Sequence, residues 1–454
     1  MKIKIFSLID WIMLLCVLSL AALGIVFIYS SAINQQGVLV TNEYVKQIIW
    51  TSLGIVLLFF AAVCDYRNYE RYIVYIFGFL IFLLVITRLF GKTVNGAKSW
   101  IGIGDFGIQP AEFGKVVYIL FLGWYFHKSE AFEKRNRFFI GLAIMLFTMG
   151  LILIQPDLGT SSVYIPIFFF MCFAAGIPLT YIIWTLSFGM LTIFIAILPV
   201  WQDQIASHTY AILSVLTDSR LRVLFTAGLG AITLIGFLGK LFFKHNQYYY
   251  WITYVSSILF FAMVCSLGVA KVLKPYQIQR LIIFLDPYTD RQGAGWNIIQ
   301  SKTAIGAGGL FGKGFLRGTQ SHLRFLPEQS TDFIFSILSE EAGFLGGLGV
   351  FVLYFVLMFR MILIIRRTTN CFGYYVACGI LGMFFFHFTV NIGMVMGIMP
   401  ITGIPLLFIS YGGSSMWTAM FCVGLMMSIN YRHFAFMNQE SVWGGGNSTV
   451  AFGL

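Results

Sequence analysis

An all-α, polytopic integral membrane fold follows from three features of the sequence. Of its 454 residues 59% are hydrophobic and only 10% are charged, far from the balance of a water-soluble domain. Apolar runs of spanning length, ~18 to 25 residues, recur from end to end. These runs lack the alternation and the ~10-residue length of barrel strands, and in lipid the backbone must satisfy its own hydrogen bonds, so the spans are helices. A water-soluble fold is excluded. The expectation is one transmembrane domain over residues 1–454, a bundle of about 10–12 helices, with a long extracytoplasmic loop at 272–332 before the last three helices.

The first run, 9–30, exceeds the ~7–15 residues of a signal-peptide core and is not followed by a small-residue cleavage site, so it reads as a retained anchor. Helices are predicted next at 46–64, 72–90 and 111–127, the last opening on Gln109 and Pro110 with Glu112 at its third position, the pattern of an N-terminal cap. Residues 138–155 and 159–176 flank Gln155-Pro156-Asp157-Leu158-Gly159, whose composition is that of a sharp turn. Runs at 181–200, 221–240, 251–271, 333–360, 371–391 and 412–430 bring the number to twelve. The seven cysteines lie in or at the ends of apolar runs without metal-ligand spacing, which reads as packing, and no disulfide framework is expected.

Lys2 and Lys4 start one side of the membrane. Arg67 and Arg71, then Lys128, Lys134, Arg135 and Arg137, then Lys240 and Lys244, then Arg360, Arg366 and Arg367 fall on alternate turns. Basic residues mark the cytoplasmic side, which puts both termini there and residues 272–332 outside. The loop from Lys271 to Thr331 still carries Lys271, Lys274, Arg280, Arg291, Lys302, Lys313, Arg317 and Arg324. Structureless loops of ~60 residues are uncommon and often functional. Its GAGGLFGKGFLRG stretch allows positive φ and close backbone approach, and a glycine- and cation-rich surface suits an anionic ligand. No phosphate loop of the GxxxxGK[ST] type occurs, so no nucleotide is expected. The +11 net charge is spread over arms and loop without the surface of a nucleic-acid module.

Acids are scarce, 18 in all, yet Glu328, Asp332, Glu340 and Glu341 fall within fourteen positions of LPEQSTDFIFSILSEE. With Ser330 or Thr331 as N-cap, Asp332 would enter the first turn of the next helix, at the outer membrane boundary. The helix terminus favours its anion and partial desolvation disfavours it; a usable base and a simple terminus-stabilising acid both fit. Glu340 and Glu341 lie ~12–13 Å deeper, where an unpaired carboxylate is expensive, and a structural role bonded to a neighbouring helix or to Lys115 is expected. In NGAKSWIGIGDFGIQPAEFGK, Lys115 follows Glu112 by three residues, the spacing of an ion pair or of a charge offered to a ligand. Trp100 suits the interfacial aromatic belt. In NIGMVMGIMPITGIPLLFISYGGSS, Pro400, Pro405, Gly412 and Gly413 break the backbone at a depth tolerated only inside protein or beside a watery cavity. His387 reads as a packed, hydrogen-bonded histidine.

These segments, with QPDLGTS, KPYQIQRLIIFLDP and QSKTAIGAGGLFGKGFLRGTQSHLRFLPEQSTDFIFSILSEEAGFLGG, resemble in order and spacing the SEDS family, the shape, elongation, division and sporulation proteins, over most of the chain outside 177–273. The resemblance implies a bacterial inner-membrane peptidoglycan glycosyltransferase that polymerises lipid II and works with a class B penicillin-binding protein. The family's essential acid, the Asp of its TDF motif, falls on Asp332; its loop tryptophan falls on Trp100, and its Glu and Lys pair on Glu112 and Lys115. The short N-terminus and the Asp-Tyr-Arg after the second span resemble the elongation branch, which implies the elongation machinery as partner. One departure is an apparent extra hairpin within 181–250, where the family has a single span.

The mechanism so implied attacks an anomeric carbon with inversion while a lipid pyrophosphate leaves, which reduces the usual acid and base pair to one base, Asp332, and positive charge on the phosphates. Lys115, Arg280, Lys302, Lys313, Arg317 and Arg324 are the candidate cations, with Trp100, Glu112 and Glu328 completing the expected substrate set. Mg²⁺ or Mn²⁺ bridging phosphate oxygens beside Asp332 is a further expectation. Asp157, Glu340, Glu341, Gly412, Gly413 and Ser414 are expected to support the site. Two rivals are a lipid-precursor flippase and a non-catalytic scaffold. The absence of an inverted pair of broken helices argues against the first; the second predicts that Asp332→Asn leaves glycan synthesis intact.

Overall fold

The computed structural model describes residues 9–94, 97–103, 106–204, 213–243, 247–272, 275–288, 290 and 293–443. All twelve stretches predicted to span are helical. In order they are α1 (Trp11–Ser31), α2 (Glu43–Val63), α3 (Tyr66–Phe90), α4 (Pro110–Lys128), α5 (Lys134–Ile154), the split pair α6 (Leu158–Ser162) and α7 (Tyr164–Ala174), α8 (Leu179–Gln204), the short α9 (Ser214–Thr217), α10 (Ser219–Phe242) and α11 (Gln247–Val272). They continue as α12 (Pro275–Leu285), α13 (Ala294–Gly308), α14 (Thr319–His322), α15 (Ile334–Arg367), α16 (Cys371–Val395) and α17 (Gly413–Trp443). Among the described residues nine of these are long and apolar enough to cross a membrane: α1, α2, α3, α5, α8, α10, α11, α15 and α16.

Scarce acids are used first as caps. Asp10, Asp65, Asp157 and Asp218 each accept a backbone N–H at the start of α1, α3, α6 and α10, satisfying donors that lipid cannot. Two also join helices: Asp10 pairs with Arg360 of α15 at 2.6 Å and Asp65 with Arg432 of α17 at 3.1 Å.

The chain forms two compact units, residues 1–176, 301–395 and 402–454, and residues 177–300 with 396–401. In the first, α17 packs on α2, α15 on α1, α7 on α16, and both α3 and α16 on α4. Of the nine candidate spans, α16 is the most enclosed, with 67% of its spanning window buried. In the second, α8, α10 and α11 pack together around Ile195, Leu229, Ala262 and Met263. Only 6% of the α10 window is buried; its outward Leu, Ile and Phe side chains suit lipid.

Three expectations change. The loop between α3 and α4 holds the one named sheet among the described residues, an antiparallel β1 (Lys92–Val94), β2 (Ala97–Ile103) and β3 (Phe106–Ile108) in that order. The long segment 272–332 is not structureless, since it carries α12, α13 and α14; Lys274 and Arg291 lie outside the described residues. Finally, α15 begins at Ile334 with Phe333 as its cap and no side-chain capping bond, so neither Ser330 nor Thr331 caps it and Asp332 stands just ahead of the first turn. A tighter turn wins there: the Glu328 carbonyl accepts from the amides of Thr331, Asp332 and Phe333 at 3.3, 3.2 and 3.4 Å.

Candidate active site

Asp332 sits partly exposed at the end of that turn. Its carbonyl accepts from Asn391 Nδ2 of α16 at 3.0 Å, and the same Nδ2 donates to Ile404 O at 2.7 Å. One amide thus ties the TDF turn to the Pro-rich segment after α16. Gly403 in that segment has φ +70°, and a Cβ there would lie 3.4 Å from Asp332 Oδ2, so the carboxylate faces bare backbone. Ser330, two residues earlier, accepts from the amide of Tyr411 at 2.9 Å.

The other motifs meet the same surroundings. Ser414 Oγ accepts from the amide of Gln109 at 3.2 Å, and Gly412 N donates to Gln47 Oε1 at 3.2 Å. A Cβ on Gly413 would lie 2.9 Å from the Trp50 ring. Gln109 Nε2 donates to Asp157 Oδ2 at 2.5 Å, while Asp157 Oδ1 accepts from Thr160 N at 3.0 Å. Gln109 therefore spends its side chain on α6 and does not cap its own helix. Four helix N-termini, those of α4, α6, α15 and α17, are brought together by these bonds. Their dipoles point positive charge at one region, an arrangement suited to anions.

Beneath lies a buried ionic chain. Lys115, 1% exposed, donates to Glu112 Oε1 at 2.6 Å and lies 3.2 Å from His387 Nε2. His387 Nδ1 is 2.9 Å from Pro405 O; a carbonyl only accepts, so Nδ1 carries the proton and Nε2 accepts from the ammonium. The chain Glu112, Lys115, His387, Pro405 thereby fixes the segment that faces Asp332. His387 is the packed, hydrogen-bonded histidine the sequence suggested, but its link to the site and the role of Asn391 escaped the sequence reading. Their signal was spacing: two polar residues four apart on one face of an otherwise apolar helix.

Glu340 and Glu341 are 0% and 2% exposed. Neither reaches Lys115. Glu340 Oε1 accepts from Lys313 Nζ at 2.8 Å, Thr319 N at 2.8 Å and Thr319 Oγ1 at 2.9 Å. Glu341 accepts from Ser30 Oγ at 2.5 Å and Leu316 N at 3.2 Å, with His322 Nε2 3.6 Å away. Just after them α15 breaks at Gly343, φ +67° and ψ −164°. The glycine-rich stretch fills the break: Lys313 N and Gly314 N donate to Glu340 O and Glu341 O, both at 3.0 Å, and Phe344 N and Leu345 N donate to Gly309 O and Leu310 O at 2.9 and 3.2 Å. That stretch is turned onto α15 instead of forming an open anion cradle, and Lys313 is engaged there.

The remaining predicted cations differ in placement. Lys302 is exposed on α13. Exposed Arg317 lines a cavity of about 440 Å³ with Tyr29, Asn34, Thr319 and His322. Arg324 and Glu328, both exposed with positive φ, line a second of about 290 Å³ with Glu43 and Ser330. Arg280 lies on α12 in the second unit. Trp100 sits on β2, opposite Lys92, with its ring 2.9 Å from where a Cβ of Gly107 would be; β2 packs against α3 and α4.

Fold and site together define a polytopic helical membrane protein that presents the partly exposed Asp332 near converging helix N-termini. The chain belongs to the cell cycle protein family of FtsW, RodA and SpoVE, which it matches over residues 10–219 and 209–434. It is 49% identical, over 95% of its length and 100% of the relative's, to the peptidoglycan glycosyltransferase RodA of Treponema pallidum (strain Nichols). It is 31% identical to the peptidoglycan glycosyltransferase MrdB of Escherichia coli (strain K12), over 93% of each chain. Its fold resembles a chain from a solved peptidoglycan synthase complex that coordinates polymerization and crosslinking, with TM-score 0.61, 24% identity and coverage of 94% of this chain and 98% of that one.

Proposed function

We propose that this chain is a peptidoglycan glycosyltransferase that polymerises lipid II into glycan strands at the outer face of the cytoplasmic membrane during cell elongation. The near full-length likeness to the RodA glycosyltransferase supports the activity. The observation that carries the mechanism is Asp332: its main chain is held by Asn391 and the Glu328 turn, the residue is partly exposed, and its Oδ2 lies beside Gly403. A carboxylate so fixed accepts the proton of an incoming sugar hydroxyl as that oxygen attacks the anomeric carbon. Pyrophosphate departs without needing a proton, so the remaining requirement is positive charge on its oxygens. The N-termini of α4 and α17 and the exposed Arg317, Arg324 and Lys302 are the candidates for it; Lys115 acts at a distance, by holding the Pro405 segment.

For a divalent cation the donor set is thin. Among the described residues the cluster of three His, Cys, Asp or Glu ligand atoms occurs elsewhere, with none at Asp332. One carboxylate suits a Mg²⁺ held chiefly by substrate phosphates and water, and such an ion would neutralise phosphate charge. The short cytoplasmic turns rich in Arg and Lys support an outward-facing Asp332. A class B penicillin-binding protein is the proposed partner, supported by the fold's likeness to a chain of a complex that couples polymerization to crosslinking.

The test is glycan-chain formation from lipid II by purified protein with its partner. Asp332→Asn and Asp332→Ala are expected to lose activity by ~10²–10⁴-fold, the range for removal of a general base, with folding and partner binding retained. Polymerisation at the wild-type rate by both variants would refute the assignment.

A further inference from the structure

A second chemical centre lies away from Asp332, at the opposite end of α4. His127 lies in the last turn of that helix, Glu130 just beyond its C-cap, and Cys371 opens α16, which packs against it. One ligand atom from each of the three lies within 4.8 Å of the others. His127 Nδ1 is 3.8 Å from Glu130 Oε1, and zinc bonds of ~2.0–2.3 Å at tetrahedral angles put ligands roughly 3.3–3.8 Å apart. His127 Nδ1 is buried with no hydrogen-bond partner.

The surroundings have the form of a metal's outer shell. His127 Nε2 lies 3.7 Å from Glu70 Oε1 of α3, which is itself 3.3 Å from Lys128 Nζ. A ligating histidine characteristically gives its second N–H to a carboxylate, which fixes the ring and raises its basicity; Glu70, at 3.7 Å, is the carboxylate placed to take that role once the ring is ligated. Tyr375, one turn into α16, donates its hydroxyl to Glu130 Oε1 at 3.3 Å. Thiolate, imidazole and carboxylate together select a borderline ion of the zinc class over Mg²⁺ or Ca²⁺. Cys371 is exposed, so an ion can reach it from solvent, and three protein ligands leave a fourth position for water.

We propose that Cys371, His127 Nδ1 and Glu130 bind one zinc-class divalent ion that clips the end of α4 to the start of α16. The ion displaces the thiol proton to solvent, so its affinity rises with pH.

The experiment uses untagged full-length protein in detergent, stripped with chelator and titrated with Co²⁺ and then Zn²⁺. One ion per chain is expected, with a thiolate-to-cobalt charge-transfer band that Zn²⁺ abolishes. Cys371→Ser should remove the band; His127→Gln and Glu130→Gln should each weaken binding at least tenfold, and Glu70→Gln by ~10–100-fold through the ring. Cys265→Ser, which removes another exposed cysteine, should change nothing. Cobalt binding with the same spectrum and stoichiometry in wild type and Cys371→Ser, both monodisperse on size exclusion, overturns the proposal, as does a wild-type protein that binds no ion.

Discussion

Lys115 would be untenable alone at 1% exposure. It is tolerated because Glu112 and His387 both face its ammonium at hydrogen-bonding distance, and breaking a buried pair by removing one partner costs about 3–5 kcal/mol. Lys115→Met should therefore destabilise the protein by that order in thermal unfolding, whereas Glu112→Gln with Lys115→Met, which leaves no lone charge, should recover much of it. A double variant no more stable than the single would show that the ion pair is not what the lysine requires. Asn391 acts at the same scale. Asn391→Ala removes both bonds that hold Asp332 O to Ile404 O, and polymerisation is expected to fall about tenfold or more through misplacement of the proposed base, with lipid II binding largely kept. A proportionate loss of binding would instead point to a collapsed segment.

At the scale of elements the decisive feature is the break in α15. Gly343 adopts a conformation reserved for glycine, and a Cβ there would lie 2.2 Å from Gly312 N. The break frees carbonyls and amides that the stretch from Gly309 to Gly314 then satisfies, which an apolar environment requires. Gly343→Ala is expected to lower stability by about 3 kcal/mol or more, combining strain with collision, and to loosen residues 309–320, read as faster amide exchange there. Unchanged exchange in that stretch would separate the loop from the break. Sequence inspection found these glycines and read them as a ligand surface, because it weighed their freedom without knowing that a broken helix lay opposite.

Across the whole molecule, membrane placement rests on charge distribution and helix length. Cysteine introduced at Lys302 should react with a membrane-impermeant maleimide in intact cells, and cysteine at Arg135 only after permeabilisation, in a background without Cys265 and Cys371. The reverse pattern would put Asp332 in the cytosol and dismiss the proposed reaction. The fold class was legible in the chain, and each of the twelve runs read as a span is helical, because the cost of unsatisfied backbone in lipid makes apolar length alone sufficient evidence of a helix; nine helices among the described residues are long and apolar enough to cross. The weight of acids around Asp332 was legible for the same reason: charge near a membrane is conspicuous when only 18 acids are present. Partnerships were not. Lys313 with Glu340, Asn391 with Asp332 and Cys371 with His127 join residues far apart in sequence, and which charge neutralises which depends on distances of a few ångströms that exist only after the helices have packed.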